Sequence, residues 1–277
     1  MTQQQSQWQN LIALLPSERR NLKRLDYLVN KASTPKIAVL GKYNHGKSSL
    51  LNAIIGEEMF TVADKRETVT NKTVSFGDLD WVDTPGLDAD TKGEDDKKAR
   101  NAAYQIADVL FLVHNVATGE LDKHELEVYR QLMKQDKNYR QKLYLVLTQI
   151  DQLSTTECEK VITTIKAQLP ELTIIPVSSL RYVKGLAQDK LAFVEQSGMS
   201  DLINQIVIIK NDIAGLRKKE IKRLKGKAQH ELETLLQTEQ QALASARHNR
   251  KQGRKQFVQQ VNSVQQRIVK QARSLGI

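Results

Sequence analysis

The chain has 277 residues, a formal net charge of +10 and one cysteine, Cys158, which excludes an internal disulfide and, with no Cys or His at ligand spacing beside it, a zinc site built on that thiol. The length holds one α/β core with a helical appendage. No apolar run approaches the roughly 20 residues that cross a bilayer, and the start, MTQQQSQWQN, lacks the basic and apolar regions of a secretory signal, so the expectation is a cytoplasmic protein.

Trp8, Leu11, Ile12 and Leu15, then Leu22, Leu25, Leu28 and Val29, recur at three and four residues on either side of Pro16-Ser17-Glu18, which predicts two amphipathic helices. Short runs that are apolar on both alternating faces follow: Ile37-Ala38-Val39-Leu40, Val109 to Val113, Leu143 to Leu147 and Thr173 to Val177. They alternate with helical patterns and suit parallel strands covered on both sides. The segment from Lys72 to Asp83 differs, because Phe76-Gly77-Asp78-Leu79-Asp80 places a tight turn between two strands and adds one antiparallel edge pair. A mixed, mostly parallel sheet is expected.

Gly41-Lys42-Tyr43-Asn44-His45-Gly46-Lys47-Ser48 lies between a predicted strand and a predicted helix, the context in which this pattern is a phosphate loop. Backbone N–H groups from Tyr43 to Ser49 converge on phosphates, Lys47 balances charge on the β and γ groups, and the Ser48 hydroxyl ligates Mg²⁺. Asp83-Thr84-Pro85-Gly86 closes a strand, placing Asp83 to reach Mg²⁺ through water and the Gly86 N–H to meet a γ-phosphate. Thr148-Gln149-Ile150-Asp151 puts one carboxylate where it accepts two hydrogen bonds from a guanine edge; adenine lacks those donors, so Asp151 implies GTP and GDP. Val177-Ser178-Ser179-Leu180 would offer backbone N–H to guanine O6. His45 reads as an exposed loop histidine or one leaning toward the phosphates; His114 ends a strand, His124 lies on a helix, and nothing in the sequence pairs them with a nucleophile or a metal.

These four segments, in this order, resemble the translation-factor-related class of P-loop GTPases, and the run from Gly41 to Ala53, with aromatic Tyr43 followed by Asn44, is similar to the bacterial dynamin-like pattern. The resemblance covers residues 36–216. It implies a Ras-like G domain that hydrolyses GTP with Mg²⁺, with Lys47, Ser48, Asn44, Thr68 and Gly86 as the catalytic set. Thr68, 20 residues after Ser48, takes the family's switch position on Mg²⁺; Thr70 is the second choice, and either reads equally as an ordinary strand threonine. Asn44 is a K⁺ or Na⁺ ligand by resemblance and, with equal weight, a turn residue tolerating an unusual φ. Two departures stand out. Gln149 replaces the lysine whose stem covers guanine in many members, which lowers expected base affinity. Leu87 follows Gly86 where Ras-type switches place a water-orienting glutamine near; dynamin-like relatives share the apolar replacement and dimerise through the nucleotide face, so a homodimer is implied. Asp64, Lys65, Arg66, Asp88 and Asp90 read as solvated loop charges or as contacts to that second copy.

After Ser200, a plausible N-cap, the pattern stays helical, weakened at Gly226 and interrupted at Gly253. Phe257, Val261, Val264, Ile268, Ala272 and Leu275 then form a stripe wanting a partner helix, and a bundle of both chain ends is expected beside the G domain. From residue 210 onward 16 Lys/Arg face five Asp/Glu, against 26 and 27 before it, so the basic character belongs to the tail. The resemblance makes this bundle a neck that moves with nucleotide state. The division is then 1–34 N-terminal helices, 35–216 G domain and 217–277 basic helical segment. Two functions follow. One is a dynamin-like GTPase, peripheral at an anionic membrane through the cluster 217–227 or working with a partner subunit. The other is an Era-type switch that binds RNA or a ribonucleoprotein particle through the same helix. The first is favoured, since the tail shows no RNA-binding fold signature and no aromatic stacking platform.

Overall fold

The computed structural model describes residues 3–60, 72–84, 105–135 and 140–274. Its centre is a six-stranded sheet of β1 (Lys36–Gly41), β2 (Lys72–Phe76), β3 (Leu79–Asp83), β4 (Val109–Asn115), β5 (Leu143–Thr148) and β6 (Thr173–Pro176). The order is β2-β3-β1-β4-β5-β6, with every pair parallel except β2–β3. This is the Ras-like G-domain sheet. The hairpin turns on Gly77 and Asp78, at φ of 60° and 57°, as a turn whose twist matches its flanking strands requires.

Alternation along the central strands builds two cores. Val109, Phe111 and Val113 of β4 face one side with Leu50 and Leu51; Leu110 and Leu112 face the other with Leu132 and Ile165. The helices are α1 (Gln3–Leu14), α2 (Arg19–Asn30), α3 (Lys47–Ile55), α4 (Lys123–Gln135), α5 (Thr155–Gln168), α6 (Ser179–Ala187), α7 (Leu191–Glu195) and α8 (Met199–Ser274).

Helix α8 joins the two parts of the molecule. Met199, Leu202, Ile206, Ile209 and Ile213 recur at three and four residues and are buried against the sheet. The same stripe then meets the N-terminal helices: Leu224 and Ile221 pack with Leu25 and Leu28, and Ala228, Leu232 and Leu235 pack with Trp8, Leu11, Leu15 and Leu22. The N-terminal helices and residues 221–235 of α8 therefore form a bundle, and the stripe expected at Phe257 is not part of it. Phe257, Val261, Val264 and Ile268 are exposed. Two 12-residue helices, each about 18 Å long, are too short to follow α8 so far.

Neither Gly226 nor Gly253 ends α8: the helix runs through both, and through the expected boundary at 216/217. A glycine costs about 1 kcal/mol in a helix interior, too little to open a nucleated helix of this length.

Candidate nucleotide site

The phosphate loop is shaped by close backbone approach. At Gly41 a Cβ would lie 2.4 Å from the Val113 carbonyl oxygen, so only glycine lets β1 turn out beside β4. Asn44 and Gly46 both take left-handed φ, 58° and 80°, and Gly46 caps α3. Lys47, Ser48 and Ser49 form the first turn of that helix, and the N-terminus of a helix, where backbone N–H groups point outward, suits an anion. The half-buried Tyr43 lies in the same loop. The left-handed conformation at Asn44 accounts for asparagine there as a turn residue.

Lys47 is largely buried, and its Nζ donates to the Lys42 carbonyl oxygen at 2.8 Å, which stretches the ammonium across the loop. The Ser48 hydroxyl donates to Asp83 Oδ2 at 2.8 Å, bringing together the two residues expected at Mg²⁺. Among the described residues no donor reaches Asp83 Oδ1, which is buried. Burial pushes the Asp83 carboxyl above the usual carboxylate range, against the opposing pull of Lys47 and Ser48. An oxygen-only pair with a buried, unsatisfied carboxylate oxygen fits Mg²⁺. Thr84 then anchors the strand end, its hydroxyl donating to the Val39 carbonyl at 2.7 Å.

On the base side the Ser178 hydroxyl donates to Asp151 and, as N-cap of α6, accepts from the Arg181 N–H at 3.0 Å. Ser179 opens that helix. The two base-side loops, Thr148 to Asp151 and Val177 to Ser179, are thereby tied together. Gln149 adopts φ of 60° and its amide donates to the Asn44 carbonyl at 3.1 Å. The residue that sequence reasoning noted only for a missing lysine thus clamps the base loop to the phosphate loop. Thr148 does the same from below, its hydroxyl 2.7 Å from the His45 carbonyl oxygen. Thr68, Thr70, Gly86 and Leu87 lie outside the described residues, as do Asp64, Lys65, Arg66, Asp88 and Asp90.

His45 contradicts the exposed reading. It is buried with its ring edge-on to His114, centroids 5.2 Å apart, and its Nδ1 is 3.4 Å from Glu125 Oε1. Burial, opposed by the Glu125 charge, lowers its pKa to about 4. His114 is not unpaired either, since Nδ1 lies 2.8 Å from the same Glu125 oxygen.

A second group of charges lies at the opposite end of the sheet, where β1, β4 and β5 begin. Arg24, fully buried on α2, pairs with Glu220 of α8 at 3.0 Å and with Asp108 at 3.4 Å. Lys142 reaches Glu220 at 2.7 Å. Arg217 of α8 holds Asp108 through two bonds of 2.8 and 2.7 Å and donates to the carbonyls of Ser33 and Thr34 just before β1. Burial alone would raise Glu220, but the charges of Lys142 and Arg24 outweigh it and hold it at about 2. Arg217 and Lys227, counted in the sequence as membrane-facing charge, are therefore held in ion pairs, Arg217 with Asp108 and the partly exposed Lys227 with Glu18 at 3.0 Å. One signal of the network was in the sequence: Glu220 occupies a position of the apolar stripe of α8, seven residues after Ile213.

Comparison with known proteins places this geometry. Residues 36–149 match the family model described as 50S ribosome-binding GTPase. An uncharacterised protein of Acinetobacter baylyi is 37% identical over 243 residues, 87% of this chain and 58% of that protein, so the chain spans less than two thirds of its relative's length. Among solved structures, one from a study of an oligomerised bacterial dynamin pair that senses and tethers membranes superposes over 94% of this chain and 50% of the other, with a TM-score of 0.55 at 18% identity. Era, solved with MgGDPNP and nucleotides of 16S ribosomal RNA, matches 57% of this chain and 56% of that one at 24% identity, with a TM-score of 0.45.

Proposed function

From the premise that residues 36–149 are a P-loop GTPase domain, we propose that the chain binds and hydrolyses GTP, dimerises through its nucleotide face and uses that cycle to move a helical neck at an anionic membrane surface. The observation that carries this reading is α8, a single helix whose first turns are packed into the G-domain core and whose continuation is held by α1 and α2.

In this reading Lys47 offsets charge on the transferred phosphoryl group, and the N–H groups opening α3 hold the phosphates in line. Ser48 and Asp83 would hold Mg²⁺, with Thr68 or Thr70 completing the set from the first switch. Bound Mg²⁺ neutralises charge on the β and γ oxygens. Asp151, fixed by Ser178, accepts from the guanine edge, and Gln149 couples that contact to the phosphate loop. A K⁺ or Na⁺ ion at Asn44 belongs to the same proposal; comparing turnover in the two salts separates it from a turn residue selected for its φ.

The nucleotide site and the ionic network stand at opposite ends of strands about 20 Å long. A displacement of the loops around the nucleotide reaches the neck along rigid strands and through Asp108, which the β1–β4 edge shares with Arg24 and Arg217.

Beyond the bundle, residues 236–274 carry eight Lys/Arg and one Asp/Glu. Exposed Leu236, Leu243, Phe257, Val261, Val264 and Ile268 share this helix. No helix among the described residues is long and apolar enough to cross a membrane. A basic, partly apolar helix surface suits the interface of an anionic bilayer, at about 1 kcal/mol per basic residue near the surface.

Flotation of the full chain with phosphatidylcholine vesicles, with and without phosphatidylserine, tests this. Binding is expected only to the anionic vesicles, weakened by salt and reduced several-fold in Phe257→Glu/Ile268→Glu. Equal binding to both vesicle types, or none, contradicts the membrane arm; lipid-independent self-association would assign the stripe to a second copy.

A further inference from the structure

Beneath the phosphate loop three buried groups from different elements converge. His45 precedes Gly46-Lys47, His114 lies near the end of β4, and Glu125 sits in the first turn of α4. Their backbones are fixed. The Thr148 hydroxyl lies 2.7 Å from the His45 carbonyl oxygen and 3.2 Å from that of His114. Glu125 is held by a reciprocal pair with Asp122: its N–H donates to Asp122 Oδ1 at 2.9 Å, and its Oε2 accepts from the Asp122 N–H at 3.1 Å. Oε1 is left to face the two rings.

The ring protonation follows from the partners. His114 Nε2 lies 2.8 Å from the Gly119 carbonyl oxygen, which only accepts, so Nε2 carries the hydrogen. Neutral His114 thus presents a lone pair on Nδ1 to a carboxylate oxygen 2.8 Å away. Two lone pairs face each other at that separation only with a cation between them, either a proton or a metal ion. A proton shared by His114 and Glu125 leaves His45 Nδ1 unsatisfied, for this buried atom has no hydrogen-bond partner among the described residues and stands 3.4 Å from the same oxygen. A metal ion satisfies all three at once.

Donor atoms of the three residues lie within 4.8 Å of one another. Ligands at about 2.0–2.1 Å around a tetrahedral ion are about 3.3 Å apart. The His45–Glu125 separation already matches, and the His114–Glu125 pair must open by about 0.5 Å. The commitment of His114 Nε2 to a carbonyl is the outer-shell bond that orients metal-bound imidazoles. Two imidazoles and one carboxylate suit a borderline divalent ion, whereas Mg²⁺ and Ca²⁺ take oxygen. We propose that His45, His114 and Glu125 bind a zinc-type divalent transition-metal ion that pins the phosphate loop to β4 and α4, separate from the Ser48–Asp83 pair.

The test is Co²⁺ titration of the chelator-stripped full chain in saturating Mg²⁺ and GDP, followed by visible absorption. One equivalent is expected to give the intense d–d bands of a four- or five-coordinate nitrogen-containing site and to be displaced by Zn²⁺. His45→Leu and Glu125→Gln, each checked for cooperative melting, should weaken it at least tenfold; using both keeps the test decisive if one fails to fold. Absence of stoichiometric binding, or bands unchanged in the variants, would overturn the site and leave a proton-bridged cluster.

Discussion

Lys47→Ala is expected to lower GTP turnover by about 10²–10³-fold, the effect of removing one preorganised charge-stabilising donor from a water-poor site. Lys47 is buried at the N-terminus of α3 and held across the loop by the Lys42 carbonyl, so shortening it removes a preorganised cation from the loop. The fold should survive, because the variant removes a costly buried cation. Asp83 then loses the charge that offsets its burial and shifts further toward its protonated form. Single-turnover hydrolysis and titration with a fluorescent guanine nucleotide check this together; turnover within a few-fold of the parent would show that Lys47 does not face the reacting phosphate. In the proposed cycle the same variant also loses nucleotide-dependent dimers.

Arg24→Ala is expected to destabilise the packing of α2 on α8 by about 3–5 kcal/mol, since it leaves two buried carboxylates short of a partner. Arg24 is fully buried and bonded to both Glu220 and Asp108. Replacing Arg24, Glu220 and Lys142 together by apolar residues should cost less than the single change, because the mutually paired buried charges leave together while Asp108 keeps Arg217. The network also fixes a pH window. Glu220 titrates near 2 in the folded chain, below the usual value of about 4.5. Its contribution is therefore complete above about pH 4.5 and is lost as pH falls toward 2, by a few kcal/mol in all. Asp83, raised by burial, acts with the opposite sign, its charged form costing stability at neutral pH. Urea unfolding between pH 7 and 3 should show the Glu220 loss in the parent and a flatter profile in Glu220→Gln; identical slopes would remove Glu220 from the account.

Parts of this architecture were legible in the sequence because they are local. The strands of the sheet centre are buried on both faces and read as unbroken apolar runs, the hairpin announces itself in Gly77-Asp78, and the phosphate loop is a contiguous backbone shape whose glycines answer to Val113 and Thr148. Ser48 and Asp83, each expected at Mg²⁺ from motif order, lie within 2.8 Å of each other. What escaped is what the fold assembles from distant residues. Arg24 and Glu220 are 196 positions apart, and although Glu220 stands on the apolar stripe of α8, nothing local names Arg24 as its partner. His45 and His114 were read as unrelated because their meeting depends on β4 lying beside β1, which brings the strand end under the loop. The helical bundle was expected too far along α8 for a different reason. The apolar stripe repeats over most of that helix, and only the lengths of α1 and α2 determine which part is covered.

The proposed coupling of hydrolysis to assembly is tested most directly by GTP turnover of the full chain across protein concentration, in K⁺ and in Na⁺, with mass measured by light scattering in GDP and in GDP with aluminium fluoride. Turnover per molecule that rises with concentration, with a doubled mass only in the transition-state mimic, is the result predicted. A constant, slow turnover by a monomer in every nucleotide state would contradict it.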